Sequence, residues 1–279
     1  MFGSRLSFRV SLVLLSLIVF AASAEAQTMY MQTIPEEKPK FGLRFFRPNL
    51  ASDADLSLMV GTFDLYASVP VSRSANVYVS VPSSRIAGDD IGESEFALGN
   101  PFIGIQGRQG NPDSHLSSFM VGVHLPLADD EKPDAAILGW FSNWHEFYRV
   151  IPDVWTLYGG FTNYWTRPGP TAPMYSTQLG SILALPTANG ADSEFFIQYG
   201  LSGGVRTQKM SFWVEWLGLF IVTEDVDGFG ERFDHQLSLC AGLTGYTVRP
   251  ALSYQIAVDD DLNNVIDGVL GLKIEVVLP

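Results

Sequence analysis

A single cysteine, Cys240, stands in 279 residues, so no intramolecular disulfide can hold the fold. Basic residues are scarce as well. Against 30 Asp and Glu there are 17 Lys and Arg, a net charge of −13. That balance argues against nucleic acid as a partner, because phosphate binding needs basic patches. The four histidines, His115, His124, His145 and His235, are scattered. Trp144-His145-Glu146 runs on into Phe147-Tyr148-Arg149, so it is not a His-Glu-x-x-His zinc helix. No Gly-x-Ser-x-Gly elbow and no Gly-rich phosphate loop occurs. The expectation is a chain with no enzymatic role, no metal site and no cofactor. Past the leader there is also no apolar run near the ~20 residues that a membrane-crossing helix needs. The run 217–222, for example, is bounded by Glu215 and Glu224.

What is present is apolar without being contiguous. Hydrophobic residues make up 47% of the chain and mean hydropathy is +0.15, high for a secreted soluble protein. Strands that alternate apolar and polar residues give this combination. The first 26 residues read as a secretory signal peptide. Arg5 and Arg9 supply the positive start, 10–20 the apolar core, and Ala22-Ser23-Ala24 or Ala24-Glu25-Ala26 the cleavage site. Residues 27–40, with Pro35 and Pro39, read as a flexible periplasmic tail too short to be a plug domain.

From residue 41 onward the dominant pattern is period two. In 210–222 one face is Met210, Phe212, Val214, Trp216, Gly218, Phe220 and Val222, and the other begins Ser211, Trp213, Glu215. Alternation continues through 235–245, 248–258 and 266–278. Runs of this length exceed the ~5–6 residues of an ordinary strand and suit the ~9–11 of a tilted strand crossing a bilayer. Further strands are expected at 41–48, 58–70, 75–81, 96–108, 118–126, 155–166, 175–186 and 195–206. Residues 135–150 differ, because Ile137, Trp140, Phe141, Trp144, Phe147 and Tyr148 fall near helical spacing. A single-chain bacterial barrel has an even number of strands, short periplasmic turns and longer outer loops. Counting from both ends agrees only if 128–153 is one outer excursion. The result is an all-β, 12-stranded antiparallel transmembrane β-barrel over 41–279 with one long outer loop containing a short helix. The acidic clusters Asp89-Asp90, Asp129-Asp130-Glu131, Glu224-Asp225 and Asp259-Asp260-Asp261 then fall on outer loops, with no calcium-loop spacing among them.

One segment carries a resemblance. Ala97-Leu98-Gly99-Asn100-Pro101-Phe102-Ile103-Gly104-Ile105 resembles the Gly-rich strand of outer-membrane barrels of the phenol-degradation meta-pathway type. Val121-Gly122-Val123-His124-Leu125-Pro126 is similar to that family's following strand end, and the hairpin over 65–82 to its preceding turn region. Leu127 and Ala128 stand where that family has threonine and glycine, and Leu278-Pro279 where barrels end in an aromatic. The resemblance implies a 12-stranded barrel that is a channel for hydrophobic or aromatic compounds, and it brings no catalytic residues.

With the polar face turned inward, the lumen and solute path are expected at Asp64, Tyr66, Tyr78, His124, Arg206, Trp213, Glu215, Arg249, Lys273 and Glu275. Tyr158, Tyr164, Gln198, Gln255 and Asp267 fall on the same face. Trp213, Leu217, Leu219 and Ile221 interrupt its polarity and suggest an apolar patch inside, suited to packing of the helical excursion or to an apolar solute. Trp140, Trp144 and Phe147 of that excursion are the candidates for a constriction loop. The expected function is passive uptake of small solutes, hydrophobic or aromatic ones included, across a bacterial outer membrane. The alternative is a non-transporting structural or surface-binding barrel. The expected partners are outer-membrane lipid and a small-molecule solute.

Overall fold

In a computed structural model, residues 28–50, 60–87, 94–187, 191–223, 232–259 and 265–279 are described. The signal peptide expected over 1–26 and most of the acidic loop residues lie outside them. The elements are β1 (Lys40–Leu50), β2 (Gly61–Pro70), β3 (Ala75–Ile86), β4 (Glu95–Leu98), β5 (Phe102–Asn111) and β6 (His115–His124). Helix α1 (Pro133–Ser142) and a 3-10 helix (Trp144–Arg149) follow. The wall then continues through β7 (Val154–Thr166), β8 (Thr171–Pro186), β9 (Glu194–Thr207), β10 (Met210–Ile221), β11 (Phe233–Leu243), β12 (Val248–Ala257) and β13 (Ile266–Val277).

Each strand pairs antiparallel with its neighbours in the chain, and the ring closes where β1 meets both β13 and β2. Thirteen segments make twelve staves. β4 pairs with the end of β3, Leu98 opposite Ser83, while β5 pairs with its first half, Gly107 opposite Ala75. Gly99-Asn100-Pro101 separates the two halves of that one stave, as expected where a proline cannot donate to the ladder. The sequence expectation of a single strand over 96–108 is corrected to this interrupted one.

Period two governs both faces. Leu65, Leu179, Val121 and Leu239 point outward and are about 60% exposed, forming an apolar belt. Toward the rim the belt ends in Trp216, Tyr199 and Phe233 around His235, whose ring is bonded to the Tyr199 hydroxyl at 2.7 Å. Such aromatics suit a membrane interface. Inside, Ser211, Trp213, Glu215, Leu217 and Leu219 of β10 are all buried, as alternation predicts. Asp267 departs from expectation and faces out. The register between β1 and β13 slips between Asn49 and Leu50, and this bulge turns Ile266 inward and Asp267 outward. Among the described residues, no helix is long and apolar enough to cross a membrane.

Candidate functional site

Lys40 lies opposite Val277, so both ends of the wall share one rim, the periplasmic rim of a bacterial barrel. From that rim the chain ahead of β1 turns back into the barrel. The expectation of a flexible tail over 27–40 does not hold for its described part. Met29, Tyr30, Met31 and Ile34 are buried within the lumen's apolar cluster together with Trp213, Leu217 and Val269. Burial of these apolar side chains against Trp213, Leu217 and Val269 is what drives the segment inside.

The wall receives this segment through its main chain. Glu215 is fully buried, and its carboxylate accepts from the amides of Met29 at 2.8 Å, Tyr30 at 2.9 Å and Met31 at 3.4 Å. Successive amides converging on one anion form a concave nest. The Trp213 indole donates to the same carboxylate at 2.8 Å and fixes its orientation. Gln178 accepts from the Gln32 amide at 2.6 Å. Lys273 donates to the Thr28 carbonyl at 2.9 Å, Gln106 to that of Thr33 at 3.0 Å, Lys40 to that of Ile34 at 2.6 Å, and Asn76 to that of Glu36 at 2.9 Å. The wall is also shaped for the segment. A Cβ at Gly271 would come within 2.7 Å of the Met29 methyl and 3.1 Å of the Tyr30 hydroxyl.

Two groups of charge stand in the lumen. Near the periplasmic rim, Arg249 bonds Glu36 at 2.8 Å, and Lys40 lies 3.6 Å from both Glu36 and Glu275. Lys273 and Arg249 face Glu275 at 3.7 and 3.8 Å. The Tyr66 hydroxyl crosses over Gly42, where a side chain would collide with its ring, to donate to Glu275 at 2.7 Å. With Glu215, three acids balance three bases. Toward the outer rim, Asp64 is clamped between Arg44 of the wall at 2.5 Å and Arg149 of the 3-10 helix at 2.7 Å. Glu146 completes this group at 2.7 Å from Arg149. Burial by itself would raise the Glu146 carboxyl, but Arg149 and Arg44 hold it down at about 2.

The excursion is therefore a second filling. Helix α1 lays Ala135, Leu138, Gly139 and Ser142 against the wall, with the Thr62 hydroxyl donating to the Gly139 carbonyl at 3.2 Å. This i, i+3, i+4, i+7 face leaves Trp140 on the opposite side, 45% exposed. Of the three constriction candidates, Trp144 and Phe147 pack inside and Trp140 does not. Asn100, at the break between β4 and β5, holds the excursion down. Its side chain donates to the carbonyls of Tyr148 at 3.1 Å and Ile151 at 2.6 Å, and accepts from the amides of Leu127 at 3.0 Å and Ala128 at 2.8 Å.

All ten residues expected on the solute path, Asp64, Tyr66, Tyr78, His124, Arg206, Trp213, Glu215, Arg249, Lys273 and Glu275, are buried inside the barrel. Sequence reasoning missed their partners: the segment 28–36, Lys40, Arg44, Asn100, Glu146, Arg149 and Gln178. The Met29-Tyr30-Met31 triplet in a supposed tail was the available signal. Between the two fillings remains a cavity of about 40 Å³ bordered by Tyr78, Phe102, His124, Tyr148, Tyr158 and Gln198. That is room for water molecules and no more. Among the described residues no cluster of His, Cys, Asp and Glu could hold a metal.

No protein-family model and no curated protein matches the chain. Solved structures do. The chain is similar to the COG4313 outer membrane channel from Pseudomonas putida F1, with a TM-score of 0.55 at 11% identity over 93% of this chain and 100% of that one. It is also similar to LpxR from Salmonella typhimurium, at 0.49 and 8% over 86% and 100%. The beta domain of the Bordetella autotransporter BrkA follows, at 0.46 and 10% over 86% and 99%. These are outer-membrane barrels, and the closed 12-stranded barrel described here is one too, seated in the lipid of the outer membrane. One expectation is withdrawn. Missing hydrolase and zinc motifs do not set an enzymatic role aside for this barrel.

Proposed function

We propose that the protein is an outer-membrane channel for small solutes, shut in this state by two of its own segments. The observation that carries the reading is the way the N-terminal segment is held. Residues 28–36 obstruct the lumen without belonging to the wall, and their main chain is bonded to wall side chains such as Glu215, Gln178 and Lys273. Side-chain bonds of this kind can be exchanged for water one at a time, whereas a strand could leave only by opening the barrel. The excursion closes the outer half through Asp64 and Asn100. Passage requires both to move. The similarity in fold to a structure described as an outer membrane channel agrees with this reading.

The ring of Tyr78, Phe102, Tyr148 and Tyr158 around the inner cavity supports a small solute that carries hydrophobic or aromatic groups, as uptake of the phenol-degradation type would require.

Planar-bilayer recording tests the channel. Hydrogen bonds to a charged group contribute about 1.5–3 kcal/mol each. Glu215→Ala removes at least one such bond outright, so openings should become at least about tenfold more frequent than in the rarely opening native chain. If neither protein gives step-like currents while both keep the heat-modifiable mobility of a folded barrel, the channel fails and a non-transporting barrel takes its place.

A further inference from the structure

We infer that the solute the opened lumen accepts is an amide-bearing chain, a short peptide. The inference rests on the channel reading and names the class of what passes. Along residues 28–36 the wall presents acceptors to amides and donors to carbonyls. Glu215 and Gln178 take the N–H groups of residues 29–32. Lys273, Gln106, Lys40 and Asn76 take the carbonyls of residues 28, 33, 34 and 36. These bonds are to main-chain atoms, which every peptide carries whatever its sequence. The side chain of Met29 meets the wall at Gly271, where a Cβ would lie 2.7 Å from its methyl. Glycine accommodates a side chain without selecting its shape.

When the segment withdraws, these groups stay behind. Glu215, Lys273, Gln178, Gln106 and Asn76 all belong to strands of the wall. Glu215 is left without its amide donors, and Lys273 without a carbonyl. A solute restores those bonds best if it carries N–H and C=O groups along one chain and can curl its amides onto Glu215 as residues 29–31 do. A sugar offers hydroxyls in place of these amides and carbonyls. Because each such bond replaces one to water, the preference favours entry without trapping the solute, which is what conduction needs. The segment thus acts as a tethered stand-in for the solute.

The test uses the full-length chain carrying Met29→Pro, Met31→Pro and Asn100→Ala. The prolines remove two donors to Glu215 without touching the wall, and Asn100→Ala loosens the excursion. Proteoliposome swelling is compared for N-acetyl-trialanine amide and for its depsipeptide analogue, in which esters replace the internal amides. The inference expects entry of the peptide to be several-fold faster, and expects Glu215→Ala in the same background to abolish the difference. Equal rates for the two solutes through a barrel that conducts ions would overturn the peptide preference and leave the channel standing. A folded, heat-modifiable barrel with neither ion current nor swelling would overturn both.

Discussion

Asn100 satisfies four backbone groups with one side chain, two carbonyls of the excursion and two amides of the strand end that leads into it. Replacing it with alanine should weaken docking of the excursion by about 2–4 kcal/mol, because the groups left behind lose their partners. Limited proteolysis within residues 127–151 should then proceed while the barrel stays intact. His145 offers a second handle on the same element. Its ring is buried, both nitrogens lack a protein partner, and burial lowers its pKa to about 4. A solvated imidazole titrates near about 6.5. Between those values a released excursion takes up a proton that the docked one refuses. Docking is therefore at full strength above about pH 6.5 and weakens by about 1.4 kcal/mol per pH unit toward pH 4. Glu146, at about 2, keeps its charge and its arginine bonds through this window, since a depressed carboxyl loses them only as pH falls through its own value. Acidifying the outer chamber should raise the opening frequency in the native chain, and His145→Gln should flatten that response.

At the scale of elements, alternation announced the strands but not what lies between them. Period two made the wall legible because the lipid face and the lumen face impose opposite chemistry on successive residues. It held even for β10, whose lumen face carries Trp213, Leu217 and Leu219. Those apolar residues raised the expectation of packing inside, yet they meet the N-terminal segment as well as the excursion. Residues 28–39 have no periodicity, so nothing local distinguishes a plug from a tail. Their place depends on Glu215 and Lys273, nearly two hundred residues or more away in the chain. The bulge at Asp267 was hidden for a related reason, since a slip in register leaves the sequence pattern unchanged. The clamp on Asp64 joins an element that was legible to one that was not. Asp64→Asn leaves Arg44 and Arg149 to share Glu146 alone inside the barrel, and breaking a buried pair in this way costs about 3–5 kcal/mol. The temperature at which the barrel changes its gel mobility should fall in that variant and fall less in Arg149→Met, which leaves the Arg44–Asp64 pair in place.

For the molecule as a whole, the barrel is a rigid frame around two removable fillings, one entering from each rim. The wall closes on itself through β1, and neither filling contributes a strand to it. Opening therefore needs no change in the wall, only the loss of side-chain bonds that water can replace. Single-channel recording of a chain lacking residues 28–36 and carrying Asn100→Ala tests this most directly, because both closures are released while the staves are kept. The account predicts long step-like openings in that variant, brief ones in either single change, and near silence in the native chain. A double variant that retains heat-modifiable mobility yet stays as silent as the native chain would contradict it.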